Sequence, residues 1–128
     1  MVGISFDRKT LTEQKANRMR YITIPALNNY PQLIQGYTTR FGGVSQGNYS
    51  SLNLSFNKPD PRENVLKNYS LLAHDLGVNF ETMVLSHQVH DNKVLPVGRE
   101  HRGMGLCVPR DYENIDGLVT NVKGLMLV

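Results

Sequence analysis

An arginine followed by a glycine-rich loop is the part of this sequence best suited to chemistry. Residues 38–54 place Arg40 directly before a loop with glycines at positions 42, 43 and 47. Glycine lets the backbone approach a ligand closely, and consecutive exposed N–H groups attract anions. A guanidinium beside them suits an oxyanion. The pattern predicts an anion site that includes Arg40, Gly42 and Gly43. The alternative is a hairpin connection whose glycines only satisfy turn geometry.

A second polar cluster follows an apolar run and contains His87 and His90. Imidazole binds metals or transfers protons near neutral pH. The segment has the pattern of a strand, in which residues three apart face opposite sides. We therefore expect at most one of the two histidines to face a site, and a hydrogen-bonded structural histidine is the alternative reading. The polar neighbours of this pair favour a functional role, because polar groups at a strand end are costly unless solvated or used.

Three further residues carry reactive groups. Asp116 opens a strand after a long loop, and we interpret it either as a turn residue or as a group that orients an imidazole or a ribose hydroxyl. Cys107 lies in an apolar context without an adjacent basic residue, so we expect it to be packed rather than reactive. A metal pair of His101 with Cys107 has no supporting ligand spacing elsewhere.

Hydrophobic periodicity indicates the elements that must position these groups. One long amphipathic helix is predicted at 61–76, with Asp60 as its N-cap, Pro61 in its first turn and Gly77 at its C-terminal cap. Its apolar stripe consists of Val65, Leu66, Tyr69, Leu72, Ala73 and Leu76. His74 lies off that stripe, and we expect it to be exposed.

The rest of the chain reads mainly as short strands. A helical turn is expected near residues 12–18. Strands are predicted at 21–24, 33–39, 52–56, 83–86, 93–97, 116–120 and 124–128. Together with the helix they predict an α+β fold with a mixed or antiparallel sheet core.

Composition excludes several functional classes. The 128 residues, with 40% hydrophobic and 20% charged side chains, are typical of one soluble domain. A net charge of +3 concentrated near the N-terminus, with no tryptophan, argues against nucleic-acid binding. The chain has one cysteine, no signal-peptide pattern and no apolar run near the roughly 20 residues of a membrane span. We expect a cytoplasmic protein that does not enter the membrane.

Four motifs in order resemble the laccase-domain family, whose members were labelled multicopper polyphenol oxidases and are now regarded as purine nucleoside phosphorylases. The motifs are residues 38–47 with 51–54, the helix start at 63–65, Gln88-Val89-His90, and residues 116–120. Residues 1–19 form a polar N-terminal segment by composition, and the resemblance implies that 20–128 is the N-terminal portion of one laccase-like domain. That domain is expected to be an incomplete part of a larger α/β/β/α-type domain, truncated at its C-terminus within the apolar run 124–128.

The resemblance also implies an activity, which is phosphorolysis of adenosine-, inosine- or guanosine-type nucleosides, with adenosine deamination as a second reaction. It implies a Zn²⁺ site, with Cu²⁺ as the alternative, in which His90 is one ligand and a Cys and a His beyond residue 128 are the others. His90 and Arg40 are the expected catalytic residues. Substrate contacts are expected from Arg40, Gly42, Gly43, Asn53, Gln88 and Asp116.

The implied partners are a purine nucleoside and phosphate. We expect this fragment to be inactive alone, and to dimerise or to pair with a missing C-terminal half through the exposed edge at 124–128. Two alternatives stay open. A copper-type polyphenol oxidase fits poorly, because this chain has four scattered histidines and one badly placed cysteine. The second alternative is a non-catalytic module that binds an anion through the glycine loop.

Overall fold

The protein has an α+β architecture, as predicted. The structure, a computed structural model, describes the backbone of residues 12–16 and all of residues 19–128. The chain divides into two compact units, the first ending at Leu76 and the second spanning Gly77–Val128. The described residues form one α-helix, seven short strands and several 3-10 turns. No helix in this part of the chain has the length and apolar character that a bilayer crossing requires.

The first unit contains a three-stranded antiparallel sheet. Its strands are β1 (Thr12–Ala16), β2 (Met19–Thr23) and β3 (Tyr37–Thr38), in the order β1-β2-β3. The helical turn predicted near residues 12–18 is therefore wrong for residues 12–16, and positions 17 and 18 lie outside the described residues, as does most of the predicted 1–19 segment. Isolated short helices are marginal in water, whereas pairing with β2 satisfies the backbone of this segment.

The predicted helix is confirmed. Helix α1 spans Arg62–Leu76, and its residues Val65, Tyr69, Leu72 and Ala73 are buried along the expected stripe. Leu72 packs with Met19 and Leu52 in the core of the first unit.

The ends of α1 agree with the prediction only at the C-terminus. Gly77 follows the helix with φ of 66°, the left-handed conformation of a C-terminal cap. His74 is exposed, as predicted. At the N-terminus the expected capping role of Asp60 is replaced, because its carboxylate accepts hydrogen bonds from side chains, including that of Asn64 at 3.1 Å.

Two predicted strands of the first unit are mostly absent, and in each region a side chain bonds backbone groups that a neighbouring strand could otherwise pair with. In the predicted strand 33–39 only Tyr37–Thr38 pairs with β2. The Gln35 amide instead bonds both the N–H and the C=O of Ile24, at 3.1 and 3.2 Å. The predicted strand 52–56 forms no strand, since Asn53 Oδ1 accepts the N–H of Ser55 at 3.0 Å.

The second unit is built on parallel pairs. Strands β4 (Met83–Val84) and β7 (Met126–Leu127) form one pair, and β5 (Val94–Pro96) and β6 (Gly117–Val119) form the other. Each predicted strand is present in shortened form. The buried apolar residues of this unit are Met83, Val84, Leu85, Val97 and Leu106. With the antiparallel sheet of the first unit, the strands are mixed in direction, as predicted.

Candidate active site

Arg40 is held in place by its own loop. Its Nε and Nη2 atoms donate to the carbonyl of Ser50 at 2.8 and 2.6 Å, and the side chain is exposed. A guanidinium has five N–H donors, and two of them bond Ser50. Within the described residues the other three have no protein acceptor and remain available to a ligand. A charged, pre-oriented group of this kind can bind an oxyanion without first losing its rotamer freedom.

The glycine loop has a defined internal partner. The N–H groups of Gly42 and Gly43 both donate to Ser51 Oγ, at 3.0 and 3.2 Å. The Ser51 hydroxyl in turn donates to the carbonyl of Arg40 at 3.2 Å. The two consecutive N–H groups thus converge on one oxygen, and that oxygen belongs to the protein, so their predicted contact with an anion stays a prediction. A ligand anion would compete with Ser51 for this position.

A buried polar network, which was not predicted from the sequence, fixes the rest of the loop. Asn68 of α1 is fully buried; its Oδ1 accepts the N–H of Val44 at 2.8 Å, and its Nδ2 donates to Ser45 Oγ at 2.9 Å and to the carbonyl of Asn53 at 2.7 Å. Buried amides are stable when every group is paired. The signal was available, since position 68 falls on the apolar stripe of the helix.

Asn53 belongs to this network as well. Its Nδ2 donates to Asp60 Oδ2 at 2.9 Å and to the carbonyl of Ser55 at 3.2 Å. Both amide N–H donors therefore have protein partners. The predicted contact of Asn53 with a substrate is left to its Oδ1 atom and stays a prediction.

Asp60 ties the loop to the start of α1 as an ionised carboxylate. Ser45 Oγ donates to its Oδ2 atom at 2.6 Å. The hydrogen bonds from Ser45 and then Asn53, together with a smaller one from Asn64, lower the pKa of Asp60 below its usual value against the opposing effect of burial. The carboxylate therefore stays ionised to a lower pH than an ordinary aspartate does.

In the second unit, two segments lie side by side around the predicted histidine site. Arg110 Nη1 donates to the carbonyl of Ser86 at 2.7 Å, and the Tyr112 hydroxyl donates to that of Leu85 at 2.6 Å. The N–H of His87 donates to the carbonyl of Ile115 at 3.0 Å in an isolated antiparallel bridge. These contacts join residues that are about two dozen positions apart in the sequence.

The two histidines have different surroundings. His87 Nδ1 accepts the N–H of Asn114 at 3.1 Å, so a neutral His87 carries its proton on Nε2. His90 is exposed and has φ of 65°. The strand predicted through this segment is therefore wrong at His90, whose left-handed conformation no strand allows. The His87 ring is tied to the neighbouring segment, and the exposed His90 is the candidate for direct chemistry.

Asp116 lies against the backbone of the turn that carries His90. Its Oδ1 atom accepts the N–H groups of Val89 at 3.0 Å and of His90 at 2.6 Å. Its Oδ2 atom is buried and has no hydrogen-bond partner among the described residues. Burial acts to raise the pKa of Asp116, but the backbone N–H groups of residues 91, 90 and 89 and the charge of His90 outweigh it, so this pKa lies below its usual value.

The structure brings the predicted site residues together in two sets, one in each unit. Arg40, Gly42, Gly43 and Asn53 share one hydrogen-bonded loop region of the first unit. Gln88, His90 and Asp116 share the turn of the second, where Gln88 is exposed. The sequence analysis assigned no role in holding either set to the residues that do so, which are Ser45, Ser51, Asp60, Asn68, Arg110, Tyr112 and Asn114.

The described residues do not by themselves complete a metal site. No group of three or more His, Cys, Asp or Glu side chains among them is arranged to hold a metal ion. His101 Nδ1 instead accepts the N–H of Gly98 at 3.0 Å.

Cys107 is exposed, contrary to the expectation that it is packed. Partial desolvation by neighbouring atoms, and then the charge of Glu81, raises the pKa of this thiol, which disfavours the thiolate that binds metals. Among the described residues His90 is therefore the candidate ligand that remains, and the predicted zinc site would need donors that these residues do not supply.

Comparison with known proteins gives the family. A family model described as multi-copper polyphenol oxidoreductase laccase matches residues 34–128. The chain therefore belongs to the laccase-domain family. The sequence resemblance is confirmed at the level of the family.

Several curated relatives carry the name purine nucleoside phosphorylase. YlmD of Bacillus subtilis (strain 168) is 35% identical over 103 residues, which cover 77% of this chain and 36% of the relative. Cgl2154/cg2365 of Corynebacterium glutamicum is 37% identical over 91 residues, covering 71% and 35%. The Bacteroides thetaiotaomicron protein is 28% identical over 109 residues, covering 84% and 40%. The chain thus spans about two fifths or less of the length of these relatives.

Solved structures agree with this assignment. The crystal structure of YlmD from Geobacillus stearothermophilus matches with a TM-score of 0.72 and 29% identity, over 90% of this chain and 42% of that chain. A Bacillus licheniformis protein, YfiH, matches with the same TM-score and 25% identity. The fold is that of part of a laccase-like domain.

Proposed function

We propose that this chain supplies the N-terminal part of a purine nucleoside phosphorylase that acts in the cytoplasm. In the proposed reaction a phosphate oxygen forms a bond to C1′ of the ribose, the glycosidic C–N bond breaks, and the purine leaves with a proton. The products are ribose 1-phosphate and the free base. The observation that carries the proposal is the exposed Arg40 guanidinium, anchored on Ser50 in a chain whose relatives carry this name.

Arg40 is the proposed phosphate ligand. Phosphate offers oxygens in a geometry that a guanidinium can bind with two parallel hydrogen bonds. Holding the nucleophile in a fixed place removes much of the entropic cost of a bimolecular step. Gly42 and Gly43 are proposed to contribute N–H groups to the same anion, which requires the Ser51 hydroxyl to give way.

His90, Gln88 and Asp116 are proposed to serve the nucleoside. An exposed imidazole can donate or accept a proton at neutral pH, which suits protonation of the departing base. The Gln88 amide offers a donor and an acceptor to base or sugar. The unpartnered Oδ2 of Asp116 is an acceptor for a ribose hydroxyl. The alternative role proposed for His90 is to bind Zn²⁺, in which case its coordinating nitrogen does not carry the transferred proton; no step is assigned to that ion.

Adenosine deamination is a second proposed activity and rests on the family resemblance alone. The reaction replaces the exocyclic amine of adenosine with oxygen from water and releases ammonia. It yields inosine, which is itself a substrate of the proposed phosphorolysis. Ammonia release from adenosine in phosphate-free buffer separates the two activities.

The test uses what we call the extended protein, which is this chain joined at Val128 to the segment of the Bacillus subtilis relative that follows the matched region. We expect it to convert inosine to hypoxanthine and ribose 1-phosphate only when phosphate is present, after circular dichroism has shown that it is folded. The 128-residue chain alone is the control and is expected to be inactive.

Three results would overturn the proposal. Base release at the same rate without phosphate would indicate a hydrolase. Oxygen consumption with a phenol, in place of inosine cleavage, would indicate the copper-type oxidase. Phosphate or nucleoside binding without turnover by the folded extended protein would indicate a binding module.

A further inference from the structure

The turn that carries His90 is shaped by the segment beside it. In the second unit, six hydrogen bonds join residues 85–90 to residues 110–116. Most of these contacts use backbone groups of residues 85–90. The last two, from the N–H groups of Val89 and His90, both end on a single oxygen of Asp116.

The conformation of His90 needs an external cause. Its φ of 65° lies in the left-handed region, which is unfavourable for a residue with a Cβ, although histidine adopts it more often than most such residues. A residue in this region persists only when its surroundings hold it there. The N–H of His90 lies 2.6 Å from Asp116 Oδ1, and the N–H of Val89 lies 3.0 Å from the same atom. Both are charge-assisted hydrogen bonds, the strong class.

We propose that Asp116 is a positioning residue that, through the N–H groups of Val89 and His90, holds His90 in the left-handed conformation and thereby sets the direction of its imidazole. The catalytic consequence rests on the proposed function, whereas the conformational one does not. Asp116 acts here through Oδ1 on the backbone. This role differs from a direct contact of Oδ2 with the substrate.

Other groups around the turn do not duplicate this role. The contacts of Asn114 and Ile115 end at His87, three residues before His90. The amide of Asn92 bonds Asp91 Oδ1 at 2.8 Å, on the far side of His90. Among the described residues, the side chain that accepts the N–H of His90 itself is that of Asp116.

The test compares Asp116→Asn with Asp116→Ala. Asparagine keeps an oxygen that can accept both N–H groups at the Oδ1 position, but it places an NH₂ donor where Oδ2 was. Alanine removes both. Asp111→Asn is the matched control, because Asp111 is an exposed carboxylate of the same segment.

The first readout is NMR of this chain labelled with ¹⁵N and ¹³C, and it needs no enzymatic activity. We expect Asp116→Ala to move the His90 amide proton upfield and to change the H–N–Cα–H coupling of His90 away from its left-handed value. Asp116→Asn and Asp111→Asn should leave that coupling unchanged. An unchanged His90 coupling in a folded Asp116→Ala chain overturns the proposal.

The second readout is inosine phosphorolysis by the extended protein. We expect kcat to fall about 100-fold in Asp116→Ala, since misplacement of a reacting group by about 1 Å costs this much. Asp116→Asn should stay within about tenfold of the parent protein, because a neutral acceptor keeps part of each hydrogen bond. A kcat that falls no further in Asp116→Ala than in Asp116→Asn would overturn positioning, because both variants lose Oδ2 and only alanine loses the acceptor at the Oδ1 position. An inactive but folded parent would refute the proposed function, and the NMR result would still decide the role of Asp116.

Discussion

At the scale of single residues, the glycine loop depends on close packing around Gly43. A Cβ atom on Gly43 would lie 2.6 Å from both Asn68 Oδ1 and Leu52 Cα and would also strike the carbonyl oxygen of Ser51. Gly47, in the same loop, has open space where its Cβ would be. Glycine at position 43 is therefore required for space, and at position 47 for conformation.

Replacing Gly43 by alanine should destabilise the protein more than the same change at Gly47. Overpacking against backbone atoms that cannot move aside costs about 2–4 kcal/mol. Gly47→Ala adds only the left-handed penalty at φ of 60°, about 1–2 kcal/mol. Urea unfolding of both variants measures the difference. Equal losses would show that the loop opens to accept a methyl group at Gly43.

Asn68 is the second residue on which the loop depends. Removing its amide in Asn68→Ala leaves the N–H of Val44, the hydroxyl of Ser45 and the carbonyl of Asn53 without their buried partner. The expected loss in the free energy of unfolding is about 3 kcal/mol. Lys67→Ala, an exposed change one position earlier in the same helix, should stay within about 0.5 kcal/mol of the parent. Similar stabilities of the two variants in urea titrations would contradict this role.

At the scale of elements, the sequence predicted the helix well and the strands only in part. Helix α1 follows from a 3.6-residue apolar stripe, which is a local signal. The missing strands 33–36 and 52–56 depend on side chains, Gln35 and Asn53, that bond backbone groups in place of a neighbouring strand. Strand β1 depends on pairing with β2, which no local pattern shows. Tertiary contacts therefore produced one strand that the sequence did not predict and prevented most of two that it did.

The junction between the loop and α1 should make stability depend on pH. Because the pKa of Asp60 is lowered by folding, its contribution is fully present above the unfolded value of 3.8 and is lost as the pH falls through the folded pKa. Asp60→Asn lacks this titration. The difference in unfolding free energy between the parent and Asp60→Asn should therefore shrink as the pH falls below about 4. A difference that is the same at pH 7 and pH 3 would contradict the ionised network.

The elements around His90 show why the site was only partly predictable. Sequence spacing placed His87 and His90 on opposite sides of a strand and expected one of them at most to face a site. In the structure the two histidines also have different surroundings, but for another reason. His87 accepts a hydrogen bond from the Asn114 N–H, whereas His90 adopts a left-handed conformation in a turn. The turn exists because of Asp116, 26 residues later. Spacing within a motif carries no information about such a contact.

At the scale of the whole molecule, the order of the motifs was more informative than any one of them. Each motif alone has an ordinary structural explanation, and the glycine loop does bond its own serine. Their succession along the chain indicated the laccase-domain family, which the family match over residues 34–128 confirms. The hydrogen bonds that hold the loop and the turn in place, such as those of Asn68 and Asp116, join residues far apart in the sequence, and the motifs did not indicate them.

The proposed function depends above all on the claim that Arg40 binds phosphate for the cleavage of a purine nucleoside. The most direct measurement is the phosphate dependence of inosine cleavage by the extended protein with Arg40→Ala, beside Arg40→Lys as the variant that keeps the charge. Loss of two charge-assisted hydrogen bonds should raise the KM for phosphate about 10- to 100-fold in Arg40→Ala. The KM for inosine should change little, and Arg40→Lys should lie between. An unchanged KM for phosphate in the folded Arg40→Ala variant would contradict the claim.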